Sequence, residues 1–154
     1  MEYRVGLGFD SHLLKPKKNN TIKIGGMPVK CDYSVLANSD GDVVLHAISD
    51  ALLGAAGFGD IGMYFSDEDE KTKNMDSSQI LSHTIKMIDK IKFEVVNVDI
   101  NIIVEHIKID PIRYTLIENL EKMLKTKNIN VKAKHYEEPK KEISCQDVVM
   151  LSKG

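Results

Sequence analysis

The first thirty residues alternate between apolar and polar stretches in a way that predicts strands. Tyr3 to Phe9 is predicted to form a short buried strand, because it is largely apolar and has strand length. Thr21 to Lys30 is predicted to form a hairpin around Gly25-Gly26, since glycine adopts the positive φ angles of tight hairpin turns. The polar residues Lys15 to Asn20, which include a basic cluster, are expected to form a solvated loop between them.

Three later stretches carry the apolar spacing of helices. The first is predicted over 39–56, with Ser39 as its N-cap and Asp42 near the positive end of the helix dipole. The second, over 77–88, would be capped by one of the two serines at its start. The third is predicted over 110–125, because an aspartate followed by proline is a typical helix start.

The remaining apolar segments complete a sheet. Phe93 to Val104 alternates and then becomes continuously apolar, which favours a central strand. Val131 to Tyr136 and Cys145 to Leu151 are predicted to be strands joined by the charged loop Glu137 to Glu142. With no repeat and no linker, this order predicts one α+β domain over residues 1–154, a ferredoxin-like sandwich of a mixed sheet with helices on one face.

The composition narrows the function classes. A chain of 154 residues with 42% hydrophobic residues can bury one core, and its 21 basic and 23 acidic residues create no field that would attract nucleic acid or an anionic membrane. No apolar run has membrane length, so we expect a cytoplasmic protein, or one in a plastid-type organelle if a transit peptide has been removed. The two cysteines lack ligand spacing and are expected to be reduced thiols.

Asp10, His12 and His46 are candidate metal ligands. Side chains two apart in a strand point the same way, so Asp10 and His12 would present a carboxylate and an imidazole together. His46 lies inside the first predicted helix, and Asp50, one turn later, would orient its imidazole. Two imidazoles and one carboxylate leave a coordination position open, as in catalytic zinc sites, although manganese and ferrous iron accept the same ligands. By spacing alone this signal is weak, because a helical histidine is more often a core or surface residue.

Two further clusters could bind a substrate. In Asp60-Ile-Gly62 and Ser66-Asp67, glycine lets the backbone approach a ligand and the carboxylates can accept from hydroxyl groups, although a simple turn is the alternative. Near the end of the chain, lysines and a histidine precede Glu137, where a carboxylate and substrate phosphates could share magnesium. An ordinary charged edge strand is the alternative there. Neither nucleotide-binding glycine fingerprint is present.

Four segments in order, spanning essentially the whole chain, resemble one enzyme family. They are Gly8-Phe-Asp-Ser-His12, the stretch from Ser39 to Ala56, Gly59-Asp-Ile-Gly62 with Phe65-Ser-Asp67, and Asn97 to Ile103. The chain is similar in these segments to the 2-C-methyl-D-erythritol 2,4-cyclodiphosphate synthases. The resemblance implies a homotrimer with active sites at subunit interfaces and a place in the non-mevalonate route to isoprenoid precursors.

The resemblance also implies a reaction and residue roles. The substrate would be 4-diphosphocytidyl-2-C-methyl-D-erythritol 2-phosphate, whose 2-phosphate attacks the β-phosphorus, closes a cyclic diphosphate and expels CMP. One zinc ion per subunit would be held by Asp10, His12 and His46, and Glu137 would hold magnesium or manganese with the substrate. The implied substrate contacts are Asn38 and Ser39, Asp60 and Gly62 for ribose, Asp67 for methylerythritol, Val104, Lys108, Ile109 and Ala133 for cytosine in the adjoining subunit, and Lys134 and His135 near the phosphates.

The chain departs from the family pattern at three places. Asn38 stands where the family usually has histidine, and Lys134-His135-Tyr136 replaces three threonines. The loop Glu138 to Glu142 is short and lacks the expected Gly-Phe-x-Gly-Arg segment. Two alternatives therefore stay open: a metal-binding relative that binds a cytidine or isoprenoid diphosphate without turnover, and a metal phosphoesterase that uses a metal-bound water.

Overall fold

The computed structural model describes residues 1–37, 39–66, 68–71 and 75–154. These residues form a mixed sheet in the order β2-β1-β5-β3-β4, in which β3 and β4 run parallel and the other neighbours run antiparallel. The elements are β1 (Glu2–Ile24), β2 (Met27–Val35), α1 (Val43–Ala56), α2 (Ile61–Tyr64), α3 (Ser77–Lys90), β3 (Glu94–Val104), a 3-10 turn (Asp110–Ile112), α4 (Arg113–Leu124), β4 (Ile129–Lys134) and β5 (Glu142–Lys153). The predicted α+β class and mixed sheet are confirmed.

Helix α1 is the centre of the core. Nearly all its residues are buried, and it packs on β1 and β5 and against α3. Strand β3 contributes alternate buried residues from Val98 to Val104, while α4 contributes Leu116, Leu120 and Leu124. No helix in the described ranges is long and apolar enough to span a membrane.

Two glycines let α1 lie directly on β1. A Cβ atom added at Gly6 would lie 1.9 Å from the carbonyl oxygen of Ala51, and one added at Gly8 would lie 1.9 Å from that of Ala47. Any side chain at either position would overlap the helix backbone. The part of β1 that carries Asp10 is therefore held directly against α1.

The opposite face of β1 carries apolar side chains that the other described residues leave exposed. Five of these side chains are each more than half exposed. They are Tyr3, Val5, Leu7, Phe9 and Leu13. Monomeric proteins rarely expose a continuous apolar strip of this kind, so the strip is a candidate interaction surface.

The predicted hairpin is confirmed, but the predicted solvated loop is wrong. Gly25 and Gly26 have φ angles of 62° and 80° and join β1 to β2. Lys15 to Asn20 belongs to β1, and its first two residues and Asn20 pair with β2 on either side of an irregular register. Between them, the amide of Asn19 donates to Asp32 Oδ1 at 3.1 Å. Side-chain polarity alone did not indicate this extended conformation.

Two predicted helix caps are also wrong. Asp42 rather than Ser39 caps α1, accepting from the amide of Leu45 at 3.0 Å. Asp76, rather than a serine, caps α3 in a capping box with Gln79. Asp42 and Asp76 each lie one position before their helix, where a carboxylate can reach the free amides of the first turn.

Candidate metal centre and its cavity

Three side chains converge where β1 meets α1. Asp10 Oδ2 lies 3.0 Å from His12 Nε2 and 3.2 Å from His46 Nδ1. One ligand atom from each residue falls within 4.8 Å of the others, a spacing that one metal ion can bridge. The structure therefore brings together the three residues that the sequence analysis selected.

The local chemistry fits a divalent cation. His12 Nε2 is buried and, although close to Asp10, forms no hydrogen bond of acceptable geometry with any described residue. A buried nitrogen without a donor or acceptor is unfavourable, and a cation would accept its lone pair. Nitrogen and carboxylate oxygen are ligands that zinc accepts.

The three groups also tune one another's ionisation. Burial opposes the charge on Asp10, but its close contacts with the imidazoles of His12 and His46 outweigh it and lower its pKa to about 2. Burial lowers the pKa of His46, but the hydrogen bond with Asp10 outweighs it, and the pKa is raised. A proton on His46 therefore competes with a metal ion for the same carboxylate, so metal binding weakens as pH falls.

A serine and a second aspartate orient His46. Ser77 Oγ lies 2.8 Å from His46 Nε2 and donates a short hydrogen bond to Asp40. The amide of Ser77 also donates to Asp40, at 3.1 Å. Because the hydroxyl proton goes to Asp40, Ser77 Oγ accepts from His46 Nε2–H, which leaves the lone pair of His46 Nδ1 facing Asp10.

The prediction that Asp50 orients His46 is corrected by this arrangement. Asp50 Oδ1 accepts from the amide of Ile61 at 3.2 Å, whereas both ring nitrogens of His46 face other groups. The sequence offered no spacing signal for the Asp40–Ser77 pair, whose members are 37 residues apart. The only indication of this pair in the sequence was the acidic Ser-Asp-Gly-Asp stretch before the helix.

Replacing Ser77 with alanine is expected to lower zinc affinity by roughly 10- to 100-fold, the usual effect of removing a group that orients a metal ligand. The imidazole would lose the partner that fixes its tautomer and its ring orientation. Competition with a chromogenic chelator measures the affinity. Ser78→Ala, which changes the exposed neighbouring serine, is the matched control. Equal affinities for the two variants would contradict this role for Ser77.

The triad opens into a cavity of about 1160 Å³. Ser39, Asp50, Asp60 and Gly62 line this cavity together with the metal ligands. Asp60 also caps α2, where its Oδ1 accepts from the amide of Met63 at 3.1 Å. Asn38 and Asp67, two other predicted substrate contacts, lie outside the described residues.

The other predicted contacts lie elsewhere, near the ends of β3 and β4. Val104 and Ile109 are buried, Lys108 is exposed and Ala133 is half-buried. Lys134, His135 and Glu137 are exposed, and none of these seven residues lines the cavity of the triad. Within one chain the metal centre and this second group of residues are therefore separate.

Comparisons with known proteins agree on one family. The model of the YgbB family matches residues 3–152. A 2-C-methyl-D-erythritol 2,4-cyclodiphosphate synthase from Mycoplasmoides gallisepticum is 53% identical over 152 residues, which cover 99% of this chain and 98% of the relative. A synthase of the same name from Leptospira borgpetersenii is 41% identical, covering 79% of this chain and 76% of the relative.

Solved structures give the same result. The structure of a 2C-methyl-D-erythritol-2,4-cyclodiphosphate synthase in a form bound to CDP has a TM-score of 0.90 and 28% identity, covering 97% of this chain and all of that one. The CDP complex of IspF from Plasmodium falciparum has a TM-score of 0.84 and 34% identity, covering 99% of this chain and 97% of that one.

Proposed function

The chain belongs to the YgbB family, and from that premise we propose that it converts 4-diphosphocytidyl-2-C-methyl-D-erythritol 2-phosphate to 2-C-methyl-D-erythritol 2,4-cyclodiphosphate and CMP. The observation that carries the proposal is the meeting of Asp10, His12 and His46 at one cavity, in a chain 53% identical over nearly its full length to a synthase of that name. The enzyme would be a cyclising phosphorus–oxygen lyase of isoprenoid precursor biosynthesis.

In this reaction the protein has to position the substrate and neutralise the charge of its phosphates, because the nucleophile is a phosphate of the substrate itself. One oxygen of the substrate's 2-phosphate forms a bond to the β-phosphorus, and the bond from that phosphorus to the CMP oxygen breaks. The nucleophile and the leaving group belong to one molecule, so the protein has to hold its two ends in line. The cavity is large enough for a ligand of this size.

Asp10, His12 and His46 would hold zinc, and Asp10 is ionised at neutral pH because its pKa is about 2. Bound zinc would polarise the β-phosphate and leave a coordination position for a phosphate oxygen. Ser77 and Asp40 keep His46 turned toward that position. Asp60 and Gly62, which line the same cavity, would contact the ribose hydroxyls.

Glu137 would share magnesium or manganese with the substrate phosphates. It is a single exposed carboxylate, which suits an ion that keeps waters and takes its other ligands from phosphate oxygens. Cytosine would bind near Val104, Lys108, Ile109 and Ala133, which lie near the same ends of β3 and β4.

We propose that residues 1–154 form one domain that assembles as a homotrimer with active sites at subunit interfaces. The apolar strip on β1 supports association, because water would otherwise cover it. The separation of the metal centre from the cytosine and Glu137 residues supports it too, because a second copy could bring the two groups together. Sedimentation equilibrium should give three times the mass of one chain.

Incubating the purified protein with the cytidine substrate, zinc and magnesium should release CMP and yield the cyclic diphosphate, whereas chelator-treated protein should release none. Phosphorus NMR distinguishes the cyclic product from a hydrolysed one. A metal-loaded trimer that releases no CMP would support the non-catalytic binding protein instead, a reading motivated by the altered Lys134-His135-Tyr136 strand. Hydrolysed product would indicate a phosphoesterase.

A further inference from the structure

Glu105, which follows β3, holds the segment that carries Glu137. Its Oε1 accepts from the amide of Tyr136 at 2.5 Å, and its Oε2 lies 3.4 Å from His135 Nδ1. The side chain of Glu105 is only 15% exposed. Its two contacts hold the start of a segment whose following residues are exposed.

Tyr136 provides a second attachment. Its hydroxyl shares a short hydrogen bond with Ser144 Oγ on β5, and Ser144 is itself buried. Lys140 Nζ lies 5.2 Å from the centre of the tyrosine ring, within range of a cation–π contact.

The far end of the segment is tied to β1. The amide of Leu14 donates to the carbonyl oxygen of Lys141 at 2.8 Å. Residues 135–141, here called the 135–141 segment, are thus fixed at their start by Glu105 and Ser144 and at their end by β1. The residues between these attachments, from Glu137 to Lys140, are all exposed and depend on the attachments for their position.

We infer that Glu105 and Tyr136 are positioning residues that set the place of the Glu137 carboxylate relative to the end of β3. The inference rests on the proposed function, which gives Glu137 its metal. Glu105 directly follows Val104 in the predicted cytosine pocket, and the amide it holds belongs to the residue before Glu137. A single side chain therefore couples the two groups that would contact opposite parts of the cytidine diphosphate.

The same contacts explain two departures from the family sequence. His135 and Tyr136 replace hydroxyl residues, and neither points at the cavity of the triad: one faces Glu105 and the other reaches Ser144. The loop after Glu137 is short, and the contacts with Glu105 and Ser144 lie directly before it.

The test uses Glu105→Ala, which removes both contacts, Glu105→Gln, which keeps an acceptor for the amide, and Tyr136→Phe, which removes the hydroxyl. Glu138→Gln, in the same segment, is the control. The first measurement is the rate at which trypsin cleaves after Lys140 or Lys141 in the folded protein. The second is the affinity for Mn²⁺ in the presence of CDP, followed by electron paramagnetic resonance, with zinc content recorded alongside.

Glu105→Ala is expected to accelerate cleavage and to weaken Mn²⁺ binding by about tenfold or more, with unchanged zinc content. Glu105→Gln should restore most of the resistance to cleavage and most of the Mn²⁺ affinity. Tyr136→Phe should change the cleavage rate and the Mn²⁺ affinity in the same directions as Glu105→Ala but by less, and Glu138→Gln should match the wild type. Faster cleavage with unaltered Mn²⁺ affinity in the three variants would overturn the positioning role, as would wild-type behaviour throughout. If Glu105→Ala fails to fold, the glutamine and phenylalanine variants decide the matter. Absence of CMP release by the wild type would defeat the proposed function. The cleavage rates and the Mn²⁺ affinities would still decide whether Glu105 and Tyr136 position Glu137.

Discussion

His46→Ala is expected to remove zinc from the protein and to abolish CMP release while leaving the chain folded. Under the proposed function its imidazole would supply one of three ligands, and the remaining carboxylate and single imidazole would bind zinc far more weakly. The loss should exceed the roughly 10- to 100-fold effect of removing a group that only orients a ligand. Alanine favours the helical backbone of α1, so the fold should survive. Elemental analysis gives zinc per chain, and chromatography gives the rate of CMP release.

The control for this variant is His83→Ala, which removes an exposed imidazole on α3 outside the triad. Its zinc content should equal that of the wild type, and both variants should sediment with the same mass as the wild type. One zinc per chain in purified His46→Ala would contradict the assignment of the metal centre. Loss of zinc together with loss of helical circular dichroism would mean that His46 supports the fold rather than the ion.

Asp147→Asn is expected to stabilise the protein at neutral and alkaline pH, by an amount that grows as pH rises from about 4 to 7. Asp147 lies on β5 and is 1% exposed, and neither carboxylate oxygen has a hydrogen-bond partner among the described residues. Its side chain lies over Gly8, since a Cβ atom added there would lie 2.3 Å from Asp147 Oδ1. Burial, with a further contribution from the charge of Asp50, raises its pKa from 3.8 to about 7.

The sign of this effect follows from proton binding. Between the two pKa values the folded chain keeps the proton that the unfolded chain releases, so rising pH favours unfolding. Each pKa unit is worth about 1.4 kcal/mol, so the full penalty is on the order of 4 kcal/mol and is complete above pH 7. Asparagine is neutral in both states and removes the penalty, although its buried amide costs a constant amount at every pH.

Urea denaturation of metal-free protein between pH 4 and 8 measures this difference. The free energy of unfolding of Asp147→Asn minus that of the wild type should increase across the range and then level off. Glu118→Gln, which neutralises an exposed carboxylate on α4, should show no comparable trend. A difference for Asp147→Asn that stays constant with pH would show that Asp147 is ionised in the folded state.

The triad of Asp10, His12 and His46 could be predicted from the sequence because the local periodicities of one strand and one helix determine which way these side chains point. Asp10 and His12 share one side of a strand, and His46 lies on a helix whose apolar spacing is unambiguous. The hairpin followed from Gly25 and Gly26 for a similar reason, since their φ angles are a local property. Periodicity alone, however, left the metal reading weak, and the family resemblance supplied the function.

The contacts that sequence reasoning missed join distant parts of the chain. Ser77 meets Asp40 across 37 residues, and Tyr136 meets Glu105 across 31, so no spacing pattern connects either pair. The polarity of Lys15 to Asn20 predicts a loop, whereas the structure places this stretch in β1, which pairs with β2 on either side of it. Local propensity is a weak guide wherever tertiary contacts satisfy the backbone.

The direct contact of α1 with Gly6 and Gly8 has a consequence for how this protein can be altered. The spacing between the strand ligands and the helix ligand is set by touching main chains, which no choice of neighbouring apolar residues can widen or narrow. Engineering aimed at a larger or softer ion would therefore have to exchange the ligands themselves. Substrate preference, by contrast, is open to redesign at the cavity-lining residues outside the triad.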